Sequence, residues 1–452
     1  MPTTESAEPA PSNDGRESRV ARSLHHSLRD GVFYSAMIGS AESYFTAFAV
    51  LLKAGAGQIA LLASLPPLLG ALAQLSSDGL GRMLRRRRAV IVFGALLQAA
   101  VLVPLALLPL ALPDLAMPVL ITCAVIYFAG PNLGSPQWGS LMGDLVPESH
   151  RGRFFARRTR LSSLAHFTAL IAAGLLLEGF DALGHAYGGF VAIFFLAIAM
   201  RLTSAWHLHQ MYDLPVQRSV TRPSWWDELR HGLRNTGMLP FTLFFASMQF
   251  AVAIASPFFA LYMLRDLEWS YVAFMFNTAM SVCVQFLTLK RWGRISDLYG
   301  NRLILVTTGS LIPLMPIAWL VSPNYVYLLA VQAVSGVLWA GFTLGASNFL
   351  FDVTPRERRT NLMAVHSVIA ASAVFMGAVL GGWLGTRLPA EFDLAGVAWT
   401  LLSPLYGVFV LSALARVAVA LVFLPRLAEV RGVRPMTSAG LLRRVTGWRR
   451  GG

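Results

Sequence analysis

Gly143-Asp144-Leu145-Val146-Pro147-Glu148-Ser149-His150-Arg151-Gly152-Arg153 is a charged hinge between two long apolar runs, and its pattern returns at Asp352-Val353-Thr354-Pro355-Arg356-Glu357-Arg358-Arg359. The shared spacing is Asp-x-x-Pro-x-x-x-Arg, 208 residues apart in a chain of 452. A second pair agrees with it: Asp78-Gly79-Leu80-Gly81 and Asp297-Leu298-Tyr299-Gly300 both read Asp-x-x-Gly, at an offset of 219. Arg201 and Arg416, each inside the last apolar run of its half, repeat at 215. Three concordant offsets indicate internal duplication of a six-segment unit.

The composition says where such a unit lives. Apolar residues make up 55% of the chain and charged ones 13%, too apolar a balance for a soluble domain of this length. A helix needs about 20 apolar residues to cross the hydrocarbon core. Twelve such runs are present, centred near Ser40, Leu68, Ala99, Phe128, Leu170, Ile198, Ala251, Ala279, Ile312, Val337, Val374 and Val410. They are continuous rather than short and alternating, which argues against a β-barrel. The net charge of +14 does not point to nucleic acid, because of 37 Lys and Arg all but Lys53, Arg201, Arg265, Arg387 and Arg416 lie in tails, in loops after even-numbered runs, or on their flanks. This positive-inside asymmetry places both termini in the cytoplasm. Cys123 and Cys283 sit in separate runs, so no disulfide is expected, and no cleavable signal peptide is expected either. The chain divides into a disordered cytoplasmic tail (1–28), a first bundle (29–212), a linker with an amphipathic helix (213–237), a second bundle (238–425) and a basic cytoplasmic tail (426–452).

The loop residues carry a resemblance. Gly293, Asp297, Gly300 and Arg302 fit Gly-x-x-x-Asp-x-x-Gly followed by basic residues, the signature loop of the major facilitator superfamily of secondary transporters. The first-half copy keeps Asp78, Gly81 and Arg82 but has Gln74 at the leading Gly, while Pro147 to Arg153 resembles the family's loop between helices four and five. The resemblance covers roughly residues 30–425. It implies an all-α integral membrane fold of 12 transmembrane helices in two pseudo-symmetric six-helix bundles, with a site near the midplane and alternating access by rocking of the halves. It also implies that Asp78 faces the start of helix eleven and Asp297 the start of helix five, where a carboxylate is favoured by the helix dipole. Drug-proton antiporters of the family carry Gly-Pro-x-x-Gly-Gly in helix five, and Ala172 to Gly179 does not match it.

Candidate site residues follow from what is costly in a membrane. Glu42 lies inside the first run among Ser40, Ser43, Tyr44 and Thr46, and a carboxylate at bilayer depth costs a few kcal/mol, so it normally has a role. It is read either as a proton-coupling or cation-binding group or as a structural partner for Arg201; the absence of an acid near Ile254 to Ser256 in the seventh run favours the former. His166 and His366 are further proton-coupling candidates, because histidine titrates near neutral pH, with hydrogen-bonded packing as the alternative. Gly130, Pro131, Gly134 and Pro136 are expected to weaken the fourth helix and turn Asn132, Gln137 and Trp138 toward a cavity, with a packing kink that touches no ligand as the alternative. Tyr44, Gln249, Asn277, Gln285 and Trp339 complete the expected cavity wall. Arg201 and Arg416 need counter-charge, which Asp144 and Asp352 are expected to supply in ion pairs that break and re-form, with the binding of an anionic substrate by one Arg as the alternative. Together with Asp78, Arg82, Arg151, Asp297, Arg302 and Arg359 they make up the expected cytoplasmic gate. The run Arg85 to Arg88 reads as a solvated loop.

No catalytic or metal constellation is visible. His25-His26 and His207-x-His209 lack further ligands, and neither His-Glu-x-x-His, Gly-x-Ser-x-Gly nor a phosphate-binding Gly-x-x-x-x-Gly-Lys-Ser/Thr loop occurs. The expectation is therefore not an enzyme, without cofactor or metal, but a secondary active transporter of a small organic solute in the bacterial cytoplasmic (inner) membrane, coupled to protons and working as a monomer among membrane lipids. The alternatives are an exporter of amphipathic compounds or lipids, and a non-transporting receptor or scaffold on the same fold.

Overall fold

In lipid each segment must satisfy its own backbone N–H and C=O groups, so continuous apolar runs become helices. The computed structural model describes residues 13–84, 86–146, 151–213, 238–354, 359–388, 391–394, 397–400 and 403–429. The first half comprises α1 (Asn13–Ser40), α2 (Phe45–Leu51), α3 (Ala56–Leu75), α4 (Ser77–Leu84), α5 (Arg87–Ala111), α6 (Ala116–Leu145), α7 (Arg151–Ala182) and α8 (Ala186–His209). The second comprises α9 (Leu239–Ala253), α10 (Phe258–Leu261), α11 (Tyr271–Tyr299), α12 (Asn301–Leu311), α13 (Leu314–Val321), α14 (Tyr325–Val353), α15 (Arg359–Gly385) and α16 (Leu405–Phe423). Among the described residues 11 spans are long and apolar enough to cross a membrane. The remaining one of the twelve expected is the first, which the structure breaks into α1 and α2 around a 3-10 turn at Glu42–Tyr44. Large apolar side chains such as Phe195, Phe286, Val326 and Leu421 are exposed on the bundle surface, as an apolar surround requires.

Several local expectations are corrected. The tail expected to be disordered over residues 1–28 is helical from Asn13, because α1 runs on past the end of its apolar stretch. Val20 and Leu24 pack there against a core that includes Met142, Leu208 and Met211. The fourth span does not break: α6 passes through Pro131 and Pro136 as one helix. Its glycines serve contact instead, since a Cβ on Gly130 would meet the carbonyl of Gly94 on α5 and a Cβ on Gly94 the carbonyl of Gly130. The true breaks fall at Ile254–Pro257 between α9 and α10, and at Ile312–Pro313 between α12 and α13, where proline removes the ladder donor. A two-stranded antiparallel hairpin, β1 (Glu391–Leu394) and β2 (Val397–Thr400), joins α15 to α16 and was not anticipated. The linker expected at 213–237 lies almost wholly outside the described residues, as does the basic tail beyond Glu429.

The two ends of the bundle differ. At the end away from the Arg-rich loops, one buried core mixes both halves, with Tyr44, Phe48, Phe190 and Phe194 from the first beside Phe258, Tyr262, Phe274 and Phe409 from the second. Tyr44 meets Phe274, and Phe190 meets Tyr271, in edge-on aromatic contacts. A Cβ on Gly382 of α15 would lie 2.6 Å from Ala60 of α3. Glu178, at the end of α7, accepts a hydrogen bond from the backbone N–H of Val272 (3.3 Å), at the start of α11. At the basic end, the buried clusters among the described residues each stay within one half.

Candidate functional site

Glu42 sits at the backbone break itself. The α-helical ladder ends at Ser40, the 3-10 turn carries Glu42, Ser43 and Tyr44, and α2 resumes at Phe45. The Tyr127 hydroxyl from α6, which donates to the Met37 sulfur (3.7 Å), is close enough to act on the carboxylate, and Tyr34 is close enough to feel its charge. Tyr127 is fully buried and packs on Phe45 and Phe128. The result is a carboxylate at membrane depth whose neighbours are phenols rather than a cation.

Arg201 is not the partner of Glu42, nor of Asp144. Its guanidinium donates to the Ser204 hydroxyl (2.7 Å), which donates to Asp30 (2.7 Å), while the Tyr34 ring covers its face at 4.6 Å. Asp30 also holds Arg158 of α7 at 3.1 Å, and Arg158 stacks over Trp138 at 4.5 Å. This cluster of Asp30, Arg158, Arg201 and Ser204 joins α1, α7 and α8. Sequence reading missed Asp30, which stands one residue before the first apolar run and so reads as a flank.

The repeated hinge aspartates have a different, matched task. Asp144 accepts from Arg87 (2.7 Å), which also donates to Ser140 (2.9 Å). Asp352 accepts from the Asn301 amide (2.9 Å), whose carbonyl is held by Ser296 (2.6 Å). In both halves the hinge Asp thus ties the end of the fourth helix of that half to the start of its third. Arg87 is buried and Arg88 donates to the carbonyls of His209 and Met211 (2.9 and 3.1 Å), so this part of the Arg run is structural rather than solvated. Arg416 has no carboxylate beside it among the described residues; it donates to the carbonyls of Ile312 and Val252, both at 3.4 Å. Ile312 would normally receive the N–H four residues on, and that residue is Pro316. With that donor missing, the Ile312 carbonyl accepts instead from the N–H of Met315 (3.2 Å) and shares its oxygen with the arginine.

The other candidates scatter. His166 interacts with the backbone of Ser35, and its own carbonyl faces Gly39, as a packing residue between α7 and α1 does. His366 is buried at the basic end of the second half, bonded to Thr242 (3.1 Å) and stacked on Phe241. Tyr44 donates to the Leu170 carbonyl (2.7 Å) within the shared core. Asn132 donates to Phe128 of its own helix, Gln137 to Ser77, and Gln285 to Ser281. Trp339 packs on Phe342. Gln249 is partly exposed on α9, and Asn277 is fully buried with neither amide atom partnered. Asp297 is exposed at the end of α11, and Arg302 donates to the carbonyl of Leu427. The side chains of Asp78, Arg82, Arg151 and Arg359 lie outside the described residues.

At the basic end, outside the membrane span, His26 of the α1 extension meets His207 through their Nδ1 atoms at 2.9 Å. Burial, with Arg29, His25 and Arg22 nearby, holds His26 below its ordinary pKa. Ser23 accepts from the N–H of Tyr212 (2.8 Å), just past α8. No group of three or more metal-ligating side chains occurs among the described residues.

Comparisons with known proteins agree with this architecture. The sequence profile described as Major Facilitator Superfamily matches residues 239–449. No curated protein matches the chain. Among solved structures, a variant of the nucleoside transporter NupG is similar at a TM-score of 0.68 and 13% identity, covering 90% of this chain and 100% of that one. A bacterial homologue of the iron transporter ferroportin, in its inward-facing state, gives 0.67 and 16%, covering 92% and 99%. A D-xylose-proton symporter gives 0.63 and 15%, covering 91% and 98%. At such identities the likeness is one of fold.

Proposed function

We propose that the chain, whose second half matches the major facilitator superfamily profile, is a member of that superfamily and a proton-coupled secondary transporter of a small organic solute in a bacterial cytoplasmic membrane. The observation that carries the coupling is the isolation of Glu42. Arg201 is tied through Ser204 to Asp30 and not to Glu42, so the reading of Glu42 as its structural partner loses its support. Glu42 is half-buried; a carboxylate at membrane depth without a cation favours its neutral form, and one that takes and releases a proton as its surroundings change is a coupling device. Its place at a helix break, where side chains and backbone can re-pair at little cost, supports the same reading. The mixed core at one end, set against separate cores at the basic end, fits a state closed outside and open to the cytoplasm.

The test uses Glu42→Gln in proteoliposomes, with the solute first found by thermal shift against nucleosides, sugars, amino acids and amphipathic drugs. Wild type should accumulate the solute under an imposed proton gradient. The variant should retain counterflow exchange but lose accumulation by at least tenfold. Gradient-driven accumulation by the variant, with the wild-type pH dependence, would remove Glu42 from the coupling.

A further inference from the structure

The two halves are alike, yet one matched pair of helices packs differently in each. In the first half, α5 and α8 lie against each other along their length. Their counterparts are α12 with α13, and α16. The break at Ile312–Pro313 lets α13 lean on α16 while α12 diverges from it. A groove of about 320 Å³ opens between them, lined by Val306, Pro313, Val417, Ala420, Leu421 and Leu424 with Ser310, and by Arg302. Its volume falls in the range of small-ligand sites, roughly 300–1,000 Å³. Leu421 is 72% exposed and Val417 40%, so the groove faces the surrounding lipid rather than the space between the halves.

Charge sets its polarity. Arg302 belongs to the basic end of α12, and exposed Arg426 follows α16 at the same level. The first-half counterpart of Arg302 is Arg88, one residue past the partner of the hinge aspartate, and it is held in the same way, its side chain donating to the carbonyls of His209 and Met211. Arg302 has no carboxylate ion pair among the described residues: Glu429 accepts from its backbone N–H (2.9 Å), and the side-chain Nε donates to the Leu427 carbonyl. The sequence beyond Glu429 adds Arg431, Arg434, Arg443, Arg444, Arg449 and Arg450 without one Asp or Glu.

We propose that the groove between α12 and α16 is a binding site for an anionic phospholipid, with an acyl chain between the helices and the phosphate at Arg302. An apolar slot at membrane depth with a basic mouth at headgroup level matches that ligand at both ends, and basic pockets between helices on the cytoplasmic side recognise anionic headgroups. A zwitterionic lipid gains the slot but not the charge match. The site lies on the outer surface of the second bundle and is independent of the coupling at Glu42.

The test is lipid retention by the full-length protein, read by native mass spectrometry after mixing with equal phosphatidylglycerol and phosphatidylcholine of the same chains. Wild type should retain phosphatidylglycerol preferentially, and Arg302→Gln should cut that preference about fivefold. Val417→Trp, at a lipid-facing position that tolerates bulk, should reduce retention of both lipids. Equal retention of the two lipids by wild type would overturn the site. So would a preference that survives Arg302→Gln and disappears on removing residues 430–452, since the tail alone would then hold the lipid. Transport does not enter the readout, so failure here leaves the coupling proposal standing.

Discussion

Arg201 and Arg416 occupy matched positions and are both buried, but they are stabilised by different means. Arg201 belongs to an ion cluster, and removing one member leaves the others uncompensated at a cost of about 3–5 kcal/mol. Asp30→Ala should therefore lower the thermal midpoint in detergent sharply, while Glu42→Gln leaves it near wild type. Arg416 is bonded to carbonyls alone, and exchanging a buried charge for an apolar side chain of similar size is often neutral or stabilising. Arg416→Met should melt at or above the wild-type temperature, whereas Asp30→Ala, which leaves both Arg158 and Arg201 without their carboxylate, should melt well below it. At the surface, the His26–His207 contact requires one neutral ring. Because the folded protein holds His26 below its ordinary value of 6.5, the unfolded chain takes up the proton first. The contribution is thus complete above that value and is lost as pH falls below it. Hydrogen exchange of residues 13–30 should accelerate on mild acidification in wild type, and His26→Gln should flatten that dependence.

Helices are where the sequence was most legible, because twelve apolar runs of membrane length admit little else. Breaks were not, because proline marks only a possible one. Pro66, Pro67, Pro131 and Pro136 are carried inside intact helices, whereas Pro257 and Pro313 stand at real interruptions. What decides is the neighbour: α6 is clamped to α5 by the reciprocal contact of Gly94 and Gly130, while at Ile312 the carbonyl turns to the N–H of Met315 and to Arg416. The Gly377, Gly381, Gly385 spacing of α15 was readable as close packing, and a Cβ at Gly381 would indeed run into the Ile254 carbonyl. Gly381→Val should cost about 1–3 kcal/mol through overpacking, visible as a lower melting temperature. Gly300 is constrained in another way: its φ of +82° and the Glu429 carboxylate over it leave no room for a side chain. The ion partners were the least legible part. Asp144 and Asp352 stand out by their repeat, but repetition identified a shared task without saying which donor each would take, Arg87 or Asn301, and Asp30 has no repeat to announce it.

At the scale of the whole molecule, the shared core and the Glu178–Val272 hydrogen bond hold one end shut. A carboxylate at a helix N-terminus is worth about 0.3–1 kcal/mol, enough to bias two states without locking either. Glu178→Ala should raise the population open at that end by roughly two- to fivefold, measured as faster alkylation of a cysteine placed at Ile59, buried in the closed state. Gly382→Leu, which would press on Ala60, should act in the same direction. The duplicated architecture was legible from three offsets; the closed end was not, because it depends on tertiary contacts between residues more than a hundred positions apart. One further property follows from the helical extension of α1. It continues the membrane helix without interruption and is fastened to the end of α8 by Ser23, His26 and the stack of Arg19 on Tyr212. From Asp30 to Asn13, at 1.5 Å per residue, it reaches roughly 25 Å. A rotation of a few degrees in the first bundle becomes a displacement of ångströms at the tip, so the arm works as a pointer needle, and a fluorophore on it would report the swing of the bundle from outside the membrane.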